Sequence, residues 1–342
     1  MKKVISPLLA ALMLVGMLAG CTNQAEMPTV TATPAGSQAE SAADEKIRIV
    51  TTIFPEYDWV REILGDRADS AEITMLLDNG VDLHSYQPTA DDLIKISDCD
   101  LFVYVGGESD GWVEGALKSA ANKDRKVIHL LEILGDSVKE EETVEGMQEE
   151  EDDHEEKEYD HEEKEYDEHV WLSLKNARTL VGAISAALQE LDPDNKDTYA
   201  ANADAYGQKL SALDAEYRKA VSAGTYKTLL FGDRFPFRYL VDDYGLSYYA
   251  AFAGCSAESE ASFETVSFLA RKVDEGKLPC VLTIEGKNHK IAETVVQNTA
   301  GKNQKILTMD SMQSTTSQDV AGGTTYLSLM EKNLDVLKEA LG

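Results

Sequence analysis

Residues 46–77, KIRIVTTIFPEYDWVREILGDRADSAEITMLL, hold the pattern that decides the fold. Ile47–Ile53 is a short β-rich run. Trp59 and Ile63 then fall on one face of a helical stretch, and Ala71–Leu77 is β-rich again. A strand, a helix and a second strand within about 30 residues specify a βαβ unit, and such units build parallel sheets covered by helices. The same alternation continues through a helix opened by Thr89, a strand at Leu101–Gly106, a helix from Trp112 and a strand at Val127–Leu131. Two long helical patterns, Leu174–Leu191 and Lys196–Ser222, flank the break at Asp192-Pro193-Asp194. The second would run about 40 Å at 1.5 Å per residue, enough to bridge two lobes. A second alternating set follows at Thr228–Gly232, Leu246–Phe252, Cys280–Glu285 and Lys305–Met309, closed by a helix from Thr325 to Ala340. The expectation is an α/β protein of two lobes, each a mainly parallel sheet flanked by helices, joined by a long bridging helix. Residues 46–173 form the first lobe, 174–223 the helical connection and 224–342 the second lobe.

Composition agrees with this reading. The 342 residues are 43% hydrophobic and 27% charged, so the chain can bury cores and is not disordered throughout. Against 32 Lys+Arg stand 62 Asp+Glu, a net charge of −30 that repels phosphate backbones and argues against nucleic-acid partners. Residues Glu140–His169 carry 18 acids and two lysines, so over half of the net charge sits in one short stretch. Within an acidic loop at 139–168, His154–Asp160 and His161–Asp167 repeat the same seven residues, HEEKEYD. Such a run cannot bury apolar area. It reads either as a solvated spacer or, through His154, His161 and the acids, as an auxiliary low-affinity cation collector.

In parallel α/β sheets, ligands sit beyond the carboxyl ends of the strands. His84 lies on the loop after the strand that ends near Leu77. Asp233, Glu285 and Asp310 each follow a strand of the second set, and His169 lies where the acidic segment rejoins the fold. Two imidazoles and carboxylates closing on a cleft would hold Zn²⁺ or Mn²⁺. His129, within a strand, reads as a core histidine, and His289, at a helix start, as structural or solvated. No His-Glu-x-x-His run, nucleophile elbow or phosphate loop occurs, so an enzyme such as a metal-dependent hydrolase is not expected.

The N-terminus has a basic start (Lys2, Lys3) and an apolar run, Val4–Gly20, which together read as a secretory signal. Leu18-Ala19-Gly20-Cys21 resembles the lipobox of bacterial lipoproteins, which implies cleavage after residue 20 and lipid attachment at Cys21. Residues 21–45 read as a flexible tether of about 25–30 Å root-mean-square span. Cys99, Cys255 and Cys280 match no zinc-knuckle spacing, so thiolate ligation is not expected. Cys255–Cys280, the closest pair in sequence, would suit a disulfide, and buried free thiols fit as well.

His84-Ser85-Tyr86-Gln87-Pro88 resembles the first ligand loop of the zinc- and manganese-specific solute-binding lipoproteins of ABC importers, the ZnuA/AdcA-like group. Asp167–Ser173, with its histidine before Val-Trp-Leu, resembles their second ligand motif. Tyr239-Leu240 with Tyr244-Gly245-Leu246 is similar to the segment after their third ligand, and Leu307–Asp310 to the strand that delivers a terminal aspartate. The resemblance implies a monomeric, extracytoplasmic, lipid-anchored receptor. It would capture Zn²⁺, with Mn²⁺ as the alternative, and deliver it to a permease and its ATPase. It supports His84, His169 and Asp310 as ligands. Acid- and histidine-rich loops at this place go with zinc members of the group. An adhesion lipoprotein with a structural metal is the rival. The family usually has His or Glu five residues before the tyrosine of the third segment, where this chain has Arg234. Asp233 is the local substitute, with Glu258, Glu285 or a water as the alternatives.

Overall fold

Ile47–Ile53 forms β1 (Arg48–Thr51), followed by a helix, Phe54–Leu64, that buries Trp59, Val60 and Ile63. The computed structural model describes residues 46–148, 165–256, 260–286 and 288–342. The signal, the tether with Cys21, the repeat with His154 and His161, and Glu258 lie outside the described residues.

β2 (Glu72–Met75), β3 (Leu101–Tyr104) and β4 (Lys126–His129) complete a first sheet in the order β2-β1-β3-β4. Every pairing in it is parallel. The second sheet repeats the plan. β5 (Thr228–Arg234), β6 (Ser247–Phe252), β7 (Cys280–Thr283) and β8 (Lys305–Thr308) lie in the order β6-β5-β7-β8, again all parallel. In both sheets the first strand in sequence lies between its two successors, so chain direction across the sheet reverses there. That reversal opens a crevice at the carboxyl ends of the strands.

Pro193 interrupts the helical pattern, as the ring's fixed φ and missing N–H require. It leaves helices Leu174–Leu191 and Lys196–Ala223. The 28-residue helix buries Tyr199, Tyr206, Leu210, Leu213, Tyr217 and Val221, spaced three, four or seven apart along one face. Asn202 of this helix donates to Ile63 O in the first lobe (2.9 Å), and Tyr217 donates to Met330 O in the terminal helix, Tyr326–Leu341 (2.6 Å). One apolar core accordingly runs from Ile49, Trp59 and Phe102 through Tyr206 and Tyr217 to Phe231 and Tyr326. A smaller core around Leu230, Phe252, Leu269 and Val295 fills the other face of the second sheet.

The two stems of the acidic stretch meet. Glu140 and Tyr166 form an antiparallel bridge, Glu141 N donates to Glu165 O (2.9 Å) and Asp167 N donates to Lys139 O (2.9 Å).

Candidate metal centre

His84 is presented on a short 3₁₀ turn, Leu83–Ser85, anchored by the buried Leu83. The Asp82 carboxylate caps this turn by accepting from His84 N (3.0 Å). The chain then leaves along a path fixed by Asp92. That carboxylate accepts from Tyr86 Oη (3.0 Å), Thr89 N (2.9 Å) and Thr89 Oγ1 (2.7 Å) and closes a capping box at the helix Ala90–Asp98. The tyrosine and threonine of the loop thereby orient the histidine between them and the strand.

His169 is fully buried where the second acidic stem enters the 3₁₀ turn Val170–Leu172. Its surroundings tie the two lobes together. Trp171 Nε1 donates to Ser311 O (2.9 Å), Tyr326 Oη to Trp171 O (2.6 Å) and Tyr239 Oη to Asp167 O (2.8 Å). Gly254 lies against the ring on the side of the second lobe. A Cβ there would stand 2.8 Å from Phe235 O and 3.2 Å from His169 Cε1, so only glycine permits this approach.

The two imidazoles meet edge to edge, with His84 Nε2 3.2 Å from His169 Nε2. Each Nδ1 is already engaged. That of His169 lies 3.0 Å from Asp167 Oδ1, and that of His84 lies 2.8 Å from Ser109 Oγ and 3.5 Å from Glu168 Oε2. Ser109 N in turn donates to Glu168 Oε1 (2.9 Å), while Glu168 Oε2 is buried and unpartnered. A carboxylate that accepts from Nδ1–H fixes the tautomer and leaves the Nε2 lone pair free for a metal, the arrangement seen at metal-ligating histidines. With both Nδ1–H bonds made, the facing Nε2 atoms hold two lone pairs and at most one shared proton.

The two rings titrate in opposite directions. Burial, and then the charge of His169, lowers His84 to about 3. Burial also works against charge on His169. The charge and hydrogen bond of Asp167, with Glu168 and Glu141 adding, outweigh it and raise His169 above the ordinary imidazole range. Of the two rings, His169 is therefore the one that takes up a proton first as pH falls.

Cys255 completes the cluster. One donor atom each from His84, His169 and Cys255 lie within 4.8 Å of one another, and no other such group of three occurs among the described residues. Thiolate ligation is not expected from the cysteine spacing, yet the structure brings the Cys255 thiol beside the histidine pair. The spacing rules apply to thiols that are close in sequence, whereas this one meets histidines more than 80 residues away in the chain. A signal was present, because Cys255 lies just beyond the carboxyl end of β6, and the same rule pointed to Asp233 after the strand expected at Thr228–Gly232. Cys99, Cys255 and Cys280 are all free thiols, so Cys255 and Cys280 do not form a disulfide.

Asp233 and Asp310 are not members of the cluster. β5 bulges between Phe231 and Arg234, so a one-residue shift in register does occur at this point. It turns Asp233 into its own sheet. There its carboxylate accepts from Thr283 Oγ1 (2.6 Å), Ile284 N (3.3 Å) and Arg234 N (3.0 Å). Arg234 instead reaches the first lobe and pairs with Asp82, the residue that caps the His84 turn. Asp310 Oδ1 accepts from Met312 N (2.8 Å), and burial followed by the charge of Glu285 raises its carboxyl to about 7. Glu285 holds the adjoining loop by accepting from Ser311 N (2.6 Å), Ser311 Oγ (2.7 Å) and Gln313 N (3.1 Å). His289 Nδ1 lies 3.1 Å from Thr283 Oγ1, a structural contact. His129 is a half-buried ring stacked on Tyr104 at 4.7 Å with Nε2 unpartnered, so it is not the satisfied core histidine expected from its strand position.

Comparison with known proteins finds relatives along almost the whole chain. The zinc-binding lipoprotein AdcA of Streptococcus pneumoniae is 33% identical over 339 residues, 99% of this chain and 61% of that protein. The high-affinity zinc uptake system protein ZnuA of Bacillus subtilis is 31% identical over 308 residues, covering 89% of this chain and 92% of that one. The crystal structure of the Zn(II)-bound ZnuA-like domain of the pneumococcal AdcA superposes with a TM-score of 0.67 at 31% identity, covering 86% of this chain and 99% of the domain. The chain thus spans about three-fifths of the AdcA relative and nearly all of its ZnuA-like domain. The family model described as zinc-uptake complex component A, periplasmic, matches residues 49–340, and the chain belongs to this ZnuA family.

Proposed function

We propose that the chain is an extracytoplasmic receptor that captures Zn²⁺ between its lobes and passes it to an ABC-type permease driven by an ATPase. One observation carries the reading: the 3.2 Å approach of His84 Nε2 to His169 Nε2, with both Nδ1 atoms engaged elsewhere. Zinc–nitrogen bonds of about 2.0–2.1 Å in a tetrahedral site separate two nitrogens by about 3.3 Å. The pair is therefore already spaced for one ion, and it stands beyond the sheet crevices where ligands bind in such folds. The relatives' names, zinc-binding lipoprotein and zinc uptake protein, support the same cargo. Asp310 is the acid from the second lobe assigned to one of the two remaining coordination positions, since Met312 N engages only its Oδ1. Lipid attachment at Cys21 would hold the receptor at the membrane, and 21–45 would serve as its tether. The repeat with His154 and His161 would concentrate cations near the mouth.

Calorimetric titration of the full chain tests the assignment. His84→Ala and His169→Ala are each expected to weaken Zn²⁺ binding by more than about 100-fold, beyond the 10–100-fold typical of groups that only support a ligand. Unchanged affinity in either variant would refute it, and tighter binding of Mn²⁺ than of Zn²⁺ would refute the choice of cargo.

A further inference from the structure

We propose that Cys255 Sγ is a protein ligand of the captured ion, making the site a two-histidine, one-thiolate site selective for Zn²⁺ over Mn²⁺. The proposal rests on the reading of the chain as a metal receptor and specifies its donor set. Three donor atoms from three distant parts of the sequence lie within 4.8 Å of one another. In a tetrahedral zinc site with Zn–N of about 2.0–2.1 Å and Zn–S of about 2.3 Å, neighbouring donors stand about 3.3–3.6 Å apart. Closing the longest separation therefore takes a displacement of about an ångström.

The surroundings hold Cys255 for this role. Glu141, from the first acidic stem, accepts a hydrogen bond from Cys255 N (2.9 Å). The preceding Gly254 packs on the His169 ring as closely as a residue without Cβ allows. The thiol forms no disulfide. Arg234, five residues before Tyr239, is paired to Asp82 and offers no lone pair to a cation. Glu168 Oε2, buried without a hydrogen-bond partner and 3.5 Å from His84 Nδ1, lies beside the histidine pair, where a divalent cation would favour its ionised form. As the ion enters, the Cys255 S–H bond breaks, its proton passes to solvent and a metal–sulfur bond forms, with no oxidant or reductant involved. Thiolate is a soft donor that suits zinc, whereas Mn²⁺ prefers oxygen ligands. The thiol therefore sets the preference between the two cargoes.

X-ray absorption on the Zn²⁺-loaded full chain reads the bond without substitution. A sulfur scatterer at about 2.3 Å is expected, and a shell of nitrogen and oxygen alone would overturn the proposal. In Cys255→Ser the sulfur shell should vanish and Zn²⁺ affinity should fall at least about tenfold, the lower bound for groups that merely support a ligand, with a smaller loss for Mn²⁺. A sulfur shell that persists in Cys255→Ser would assign the bond to another thiol and overturn the proposal. Unchanged zinc affinity in Cys255→Ser alongside lost affinity in His84→Ala would also overturn it while leaving the receptor reading intact. Zinc binding that survives His84→Ala would defeat the broader reading instead.

Discussion

His169 is fully buried and holds its proton more tightly than an ordinary imidazole, while its neighbour His84 is lowered to about 3. Below the raised His169 pKa, zinc must therefore displace one proton from the pair, and that proton comes from His169. The sign follows: above the raised His169 pKa the pair is already neutral and affinity is flat with pH. As pH falls through that value the pair contributes about a tenfold loss per unit. The decline should begin above pH 6.5, the ordinary histidine value, because Asp167 has moved the midpoint upward. Titrations of Cys255→Ser, in which no thiol proton is counted, isolate this effect. A midpoint below 6.5 would contradict the assignment. Asp167 itself escaped the sequence reading, although it lies two residues before the histidine it orients. Its role depends on a ring rotamer that spacing does not reveal.

At the level of elements, the alternation of strands and helices was legible because each carries its own period, and Pro193 marks the break between the two long helices. His84 and His169 were legible because local motifs frame them. Asp233, Arg234 and Cys255 were not, since a single extra residue in β5 exchanges which side chain faces the other lobe. That bulge makes Asp233 a fastener of β5 to the end of β7. Asp233→Ala should destabilise the fold by about 1–3 kcal/mol, through the donors it strands at Thr283 and Ile284, and lower the melting temperature. Zinc affinity should stay within a few-fold of the parent. A large affinity loss with unchanged melting would return Asp233 to the ligand set.

Burial raises carboxyls across the whole molecule, three of them in the first lobe well above their ordinary range. Glu56 moves to about 8, with Asp110 adding to the shift, and Asp58 and Asp110 each move to about 7. All three bind protons more tightly folded than unfolded. Their contribution to stability is fully present below the ordinary carboxylate range and is lost as pH rises through about 7–8. The ion-free chain should therefore melt at higher temperature near pH 5 than near pH 8, whereas zinc raises stability more as pH increases. Thermal denaturation with and without zinc at both values checks this, and an ion-free melting temperature that rises toward pH 8 would contradict it.

The paired stems of the acidic stretch have one more consequence. Glu140 and Tyr166 leave the body side by side, and the first stem stays fastened beyond them: Glu141 accepts from Cys255 N, while Gln148 donates from its N to Ala251 O and accepts from Ser262 N. An insertion or replacement that spares this anchored stem should leave the machinery beneath as it is, giving evolution or an engineer a choice of antenna.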